Sequence, residues 1–238
     1  MSERAKVQGP QATMLFRVVA FFSRLQVGYL FHRQKDTQLL IILFALIAGT
    51  TALAIITMAA QLTKLPLLFP PLAPSAFILF YTPLSPSASP RNVFLSHTMG
   101  LGVGLLCLKV MAFFYTEQSL FDSAAMSWQR VVVIGLSTGL IGLLMIVLRC
   151  VHPPAAATAL IAALGYFKNI FQVMALVAAV ILLLVEAVVF VRLIGGLPYP
   201  IWKIDQRLTK AYRELADGIG SRGGFWQEIS SNIYKKRR

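Results

Sequence analysis

The chain has 238 residues, 57% of them hydrophobic and 13% charged, with a mean hydropathy of +0.72. An average soluble domain carries roughly a quarter of its residues as Asp, Glu, Lys and Arg. The shortage of polar surface here argues against a water-soluble enzyme, a disordered chain and a secreted disulfide scaffold, and leaves a polytopic all-α membrane protein. The net charge of +13 is concentrated at the ends. Six Lys/Arg stand against two acids over residues 1–38, and ten against four over 192–238.

That distribution divides the chain into a basic N-terminal segment (1–38), a transmembrane core (39–193) and a basic C-terminal tail (194–238). The Lys/Arg bias predicts both termini in the cytoplasm of a multi-pass cell-membrane protein, with the tails on anionic lipid rather than on nucleic acid. Within the first segment, Thr13, Arg17 and Arg24 share one face of a predicted amphipathic helix over 13–28. The apolar stretch 14–31 is broken by Arg17 and Arg24 and lacks a small-residue cleavage site, so it does not read as a signal peptide.

Four stretches have the roughly 20 apolar residues that a bilayer crossing needs. They are 39–62, 93–115, 130–149 and 171–193. Gly100 and Gly104 on the second, and Gly135, Gly139 and Gly142 on the third, recur at spacings that let helices approach closely in lipid. Glycine-faced spans also favour association with a second copy. Cys107 and Cys150 form no CxxC pattern and read as reduced structural residues.

Two shorter stretches, 65–84 and 149–167, each open on prolines. Proline is accepted in a helix's first turn and breaks it further in. Each stretch therefore predicts an extended piece followed by a half-helix of roughly 12 residues, about 18 Å long. The run Pro70-Pro71-Leu72-Ala73-Pro74-Ser75-Ala76-Phe77-Ile78 aligns without gaps on Pro153-Pro154-Ala155-Ala156-Ala157-Thr158-Ala159-Leu160-Ile161. This predicts a duplicated unit, with repeat one over 39–115 and repeat two over 130–193. The chain crosses four times if the short stretches return to their own side and six times if they cross. Glu117 and Asp122 suit the outside and Arg91 and Arg149 the inside, which favours six and makes the repeats inverted. After the core, Ile201, Ile204, Leu208, Ala211 and Leu215 predict a second amphipathic surface helix.

A helix that starts inside the membrane exposes unpaired N–H groups and the positive end of its dipole there, which suits an anion. Ala73, Ser75 and Ala76 would line one half of such a site, and Ala155, Ala157 and Thr158 the other. His152 would donate to the anion or carry a coupled proton. His97, Arg91, Arg149 and Glu186 are candidates for gating or coupling, with Glu186 expected in an ion pair with Arg149 or Arg91 or in proton coupling. Three histidines and nine acids are too scattered for a metal cluster. No HExxH, paired-Cys or phosphate-loop motif is present, so neither an enzyme nor a cofactor is expected.

His152-Pro153-Pro154 followed by AAATAL resembles the motif that names the HPP family of membrane proteins. Pro90-Arg91-Asn92, with His97 following, and the stretch PPLAPSAFILF resemble other segments of the same family. The resemblance covers about 65–195. Ala155-Ala156 departs from it where many members carry a glycine. The resemblance implies a membrane-helical fold described with four helices, and for some members nitrite transport across plastid or cyanobacterial membranes. The expectation is a permease for a small anion, with nitrite the family-led candidate. A non-transporting membrane scaffold and an anion channel are the alternatives.

Overall fold

The computed structural model describes residues 37–115, 118–121 and 127–205. The predicted amphipathic helix over 13–28, residues 1–36 and 206–238 of the basic tails, and Glu117 and Asp122 lie outside these residues. Of the predicted second surface helix, only 201–205 are described, and they are bends at 201–203 and irregular at 204–205 rather than helix.

The described chain is all helical. Its elements are α1 (Thr37–Thr63), α2 (Leu72–Tyr81), α3 (Pro90–Phe114), α4 (Trp128–Val147), α5 (Ala155–Ala163) and α6 (Ile170–Ala187). α6 continues through a widened π-type turn, Val188–Ile194. Four helices, α1, α3, α4 and α6 with its extension, are long and apolar enough to cross a membrane. A 25-residue helix spans about 37 Å, against a hydrocarbon core of about 30 Å. The first turns of three of them are capped by side chains: Ser89 accepts from the Asn92 amide, Ser127 from Arg130 and Asn169 from Gln172. Each cap satisfies an amide that has no partner within its own helix.

α2 and α5 have 10 and 9 residues, shorter than the 12 expected, for local reasons. Thr82 precedes Pro83 and is driven out of helical geometry (φ −127°, ψ 58°). α5 ends two residues before Gly165, whose φ of +80° lets the backbone turn against Leu120 and Phe121.

The prolines also shape the helix starts. Pro71 and Pro154 are themselves in right-handed helical geometry, so each begins the turn that its helix continues.

Contacts fix the direction of every segment. Phe44 of α1 stands beside Gly195, just past α6, while Tyr199 and Trp202 reach Ala88 and Arg91 at the start of α3. α1 therefore begins, and α6 ends, at the end of the bundle where α3 starts. Phe69, ahead of α2, stacks on Phe167, ahead of α6 (ring centroids 5.6 Å apart), at the far half of the bundle. α2 then runs back toward the start of α3. α5 runs the other way, from beside α3's first half to Leu164, whose carbonyl takes Arg130 Nη1 from α4's first turn (2.8 Å). Each Pro-broken segment thus carries the described chain along the bundle, the two in opposite senses.

The main apolar core lies between α1, α2 and α6, around Ile56, Leu79, Phe80, Ala179 and Leu183. α5 sits in a slot between α3 and α4. Gly100 and Gly104 face its backbone and leave no room for a side chain, as their spacing predicts. Gly135, Gly139 and Gly142 have nothing within 4 Å where a Cβ would stand, so they pack against none of the other described helices. Cys107 and Cys150 are free thiols.

Candidate functional site

The starts of α2 and α5 meet over the first half of α3, and four polar side chains fill the junction. Ser75 comes from α2, Thr158 from α5, His97 from α3, and His152 from the chain entering α5. None is more than 1% exposed. Ser75 Oγ lies 2.9 Å from His97 Nε2 and 2.9 Å from His152 Nε2. It is also 2.8 Å from the Pro71 carbonyl one turn earlier. His97 Nδ1 is 2.7 Å from Thr158 Oγ1, and His152 Nδ1 is 2.8 Å from the Ser87 carbonyl. The two imidazoles stand 5.1 Å apart, ring to ring.

One arrangement of the neutral site gives every ring nitrogen a partner. A carbonyl only accepts, so His152 Nδ1 carries the proton toward Ser87 and Nε2 is bare. Ser75 then donates to His152 Nε2 and accepts from His97 Nε2–H. His97 Nδ1 is in turn bare and accepts from the Thr158 hydroxyl. One oriented chain runs from Thr158 through His97, Ser75 and His152 to Ser87, with every ring nitrogen satisfied.

Supporting contacts hold the frame. Ser96 donates to the Cys150 carbonyl and pins the segment that carries His152. Asn92 Nδ2 holds the Pro86 carbonyl (2.8 Å), and the Tyr199 hydroxyl holds the Ala88 carbonyl (2.7 Å). Both brace the turn that presents Ser87. Burial raises the Tyr199 phenol above its ordinary range. Arg91 donates from Nη1 to the Arg149 carbonyl (3.1 Å) and from Nη2 to Leu148 (3.4 Å), closing the C-terminal end of α4. Arg130, 1% exposed, donates to Leu164 and Leu120 and does the same for α5.

The candidate residues fare differently. Ser75, Thr158, His97 and His152 are brought together. Ala155 packs against Gly100, and Ala73 and Ala76 line an apolar groove between α1 and α2; Ala157 is half-buried.

The expectation of bare helix amides is corrected. In α2, Leu72, Ala73 and Ser75 donate to Phe69, Pro70 and Pro71; in α5, Ala155, Ala156 and Ala157 donate to His152, Pro153 and Pro154. The helical turn at each second proline supplies those acceptors. The expected ion pair of Glu186 is also absent. Its carboxyl group is 6% exposed and neither oxygen has a hydrogen-bond partner, while the Arg91 guanidinium is engaged by carbonyls. Arg149 is exposed and has a left-handed backbone (φ +50°).

Ser87, Ser96, Asn92, Arg130 and Tyr199 were not among the candidates. Arg130 left a signal as a cation at the edge of an apolar span, and Asn92 as part of the Pro90-Arg91-Asn92 segment. The others are ordinary polar residues whose partners lie far along the chain.

No curated protein and no solved structure matches the chain. The family model for the HPP transmembrane region matches residues 34–200, which takes in all six helices and every residue of the polar junction. The chain belongs to the HPP transmembrane family.

Proposed function

We propose that the protein is a membrane permease for a small anion, with nitrite as the family-led substrate, and that the junction of α2 and α5 is its translocation site. One observation carries the reading: two histidines, a serine and a threonine are sealed at the meeting of two short helices in an otherwise apolar bundle. Polar groups at membrane depth are costly and concentrate along substrate or proton pathways. The opposed senses of α2 and α5 support two inverted repeats around that point, as in many carriers. The junction is closed in this conformation. Opening it would separate the short helices and turn the hydroxyl and imidazole donors toward the solute. Both termini lie on the cytoplasmic side in this reading, with the basic tails on anionic lipid, and the lipid-facing glycines of α4 leave room for a second copy.

Uptake of isotope-labelled nitrite into proteoliposomes tests the reading, and accumulation no greater than in empty vesicles removes it. Currents far above carrier turnover would make the protein a channel. A non-transporting scaffold is the second reading. It is favoured by the completeness of the hydrogen-bond chain, which holds the two short helices together without a ligand.

A further inference from the structure

Ser75 has one proton and three partners. Its Oγ lies within 2.9 Å of two imidazole nitrogens and 2.8 Å from the Pro71 carbonyl oxygen. The neutral chain described above uses the hydroxyl proton on His152 Nε2 and leaves the Pro71 contact without one. That spare contact has a use once a proton is added. We infer that the Ser75 hydroxyl is a two-position switch that lets the His97–His152 pair take up and hold one proton.

The step balances simply. When the junction opens to water, a hydronium ion gives its proton to His152 Nε2, forming an N–H bond and leaving water. The Ser75 O–H turns from His152 to the Pro71 carbonyl, and no covalent bond in the protein breaks. His152, now an imidazolium, donates from Nδ1 to Ser87 and from Nε2 to Ser75. His97 still donates from Nε2 to Ser75 and still accepts from Thr158. Ser75 Oγ accepts two N–H bonds on its two lone pairs, within its capacity. All polar groups of the junction are paired in both protonation states around the same closed heavy-atom positions. An uncompensated buried charge is costly, and hydrogen bonds to the charged form offset that cost.

The pair holds one proton and not two. A second would put two cations with ring centroids 5.1 Å apart in a sealed site and would remove Thr158's acceptor. The proton also cannot pass onward from His152 Nδ1, because the Ser87 carbonyl has no proton to relay. The site therefore stores a proton rather than conducting it.

Among the described residues the neighbouring titratable groups are few, and Tyr199 braces the Ser87 turn through the Ala88 carbonyl. On α3 and the chain entering α5 stand Arg91, Lys109, Cys107, Arg149 and Cys150. α2 carries Tyr81, α4 carries Arg130, and α6 with its extension carries Glu186 and Arg192. None of these bonds a ring nitrogen, whose partners are Ser75, Thr158 and Ser87. The inference stands apart from the transport reading, since it concerns the protein without any solute.

The test is histidine ¹⁵N NMR on the full chain in lipid nanodiscs, in a His32→Gln background so that only His97 and His152 contribute. Above neutral pH the rings should show different tautomers, Nε2–H on His97 and Nδ1–H on His152. On acidification one imidazolium per chain should form, over the range in which circular dichroism shows the fold intact. Ser75→Ala should mix the tautomers of His97, and Ser75→Thr, which keeps a hydroxyl, should not. Identical tautomers on the two rings, two imidazolium rings together, or no imidazolium before unfolding would overturn the switch. Nitrite uptake is a separate measurement, so its failure leaves this result untouched.

Discussion

Gly100 faces the carbonyl oxygen of Ala155 so closely that an added Cβ would lie 2.6 Å from it. The contact sets α5 against α3 at the level of His97, and the position of Thr158 over the imidazole depends on it. Gly104, one turn on, meets Ala159 and Ala162 in the same way. Helices without a hydrophobic drive between them gain their association from such contact. Gly100→Val should push α5 off α3 and cost about 1–3 kcal/mol, the usual penalty of overpacking. The thermal midpoint of the purified protein in detergent reports it. Gly102→Ala is the control, since its Cβ would meet nothing within 4 Å, and it should leave the midpoint unchanged or slightly raised.

His152→Gln separates the structural and chemical roles of the imidazole. The glutamine amide can donate to Ser87 and its carbonyl can accept from Ser75, so folding should survive. It cannot take up a proton near neutral pH. The expected outcome is a wild-type thermal midpoint with nitrite uptake lowered at least tenfold, about 1.4 kcal/mol in barrier terms, and no longer rising as external pH falls. His152→Ala should lower uptake as far, with a further stability loss of about 1–3 kcal/mol because Ser87 and Ser75 lose a buried partner. Wild-type uptake in the Gln variant would leave His152 a purely structural role.

Tyr199 gives a stability effect with a defined sign. Its phenol is 2% exposed and bonds the Ala88 carbonyl, and burial raises it above the ordinary range. The native state therefore keeps this proton at pH values where the unfolded chain, with an ordinary tyrosine near 10, has lost it. The unfolded state then binds fewer protons, so the contribution is fully present below about pH 10 and is lost as pH rises beyond it. Tyr199→Phe should cost about 1 kcal/mol at neutral pH through the missing hydrogen bond. It should also flatten the fall in stability between about pH 10 and 11. Denaturation midpoints across that range check both.

The four long helices and both short ones are legible in the sequence because lipid demands length and apolarity, and proline punctuates. So were Ser75, His97, His152 and Thr158 as individuals. Their convergence was not. His97 and Thr158 are 61 positions apart and Ser75 and His152 are 77, and no local pattern encodes such pairings. The fate of the helix amides was misread for a conformational reason. A Pro-Pro pair suggests an extended lead-in, but the second proline of each pair already sits in helical geometry and turns preceding carbonyls onto the first amides. The ion pair expected for Glu186 failed because Arg91 closes α4 instead, a role set by the position of Leu148 and Arg149 across the bundle.

Arg149 offers a test that divides backbone from side chain. Its carbonyl receives Arg91, which needs only the main chain, and its φ of +50° is one that a side chain resists and glycine adopts freely. The guanidinium contributes nothing to that geometry, being exposed. Arg149→Gly should therefore raise the thermal midpoint, by relief worth about 1 kcal/mol, while keeping the Arg91 bond. If the guanidinium draws anions to the mouth at this end of the bundle, the same variant should take up nitrite more slowly at low salt and match the wild type at high salt, where screening removes the attraction. A stabilised variant with unchanged uptake at both ionic strengths would confine Arg149 to ending α4.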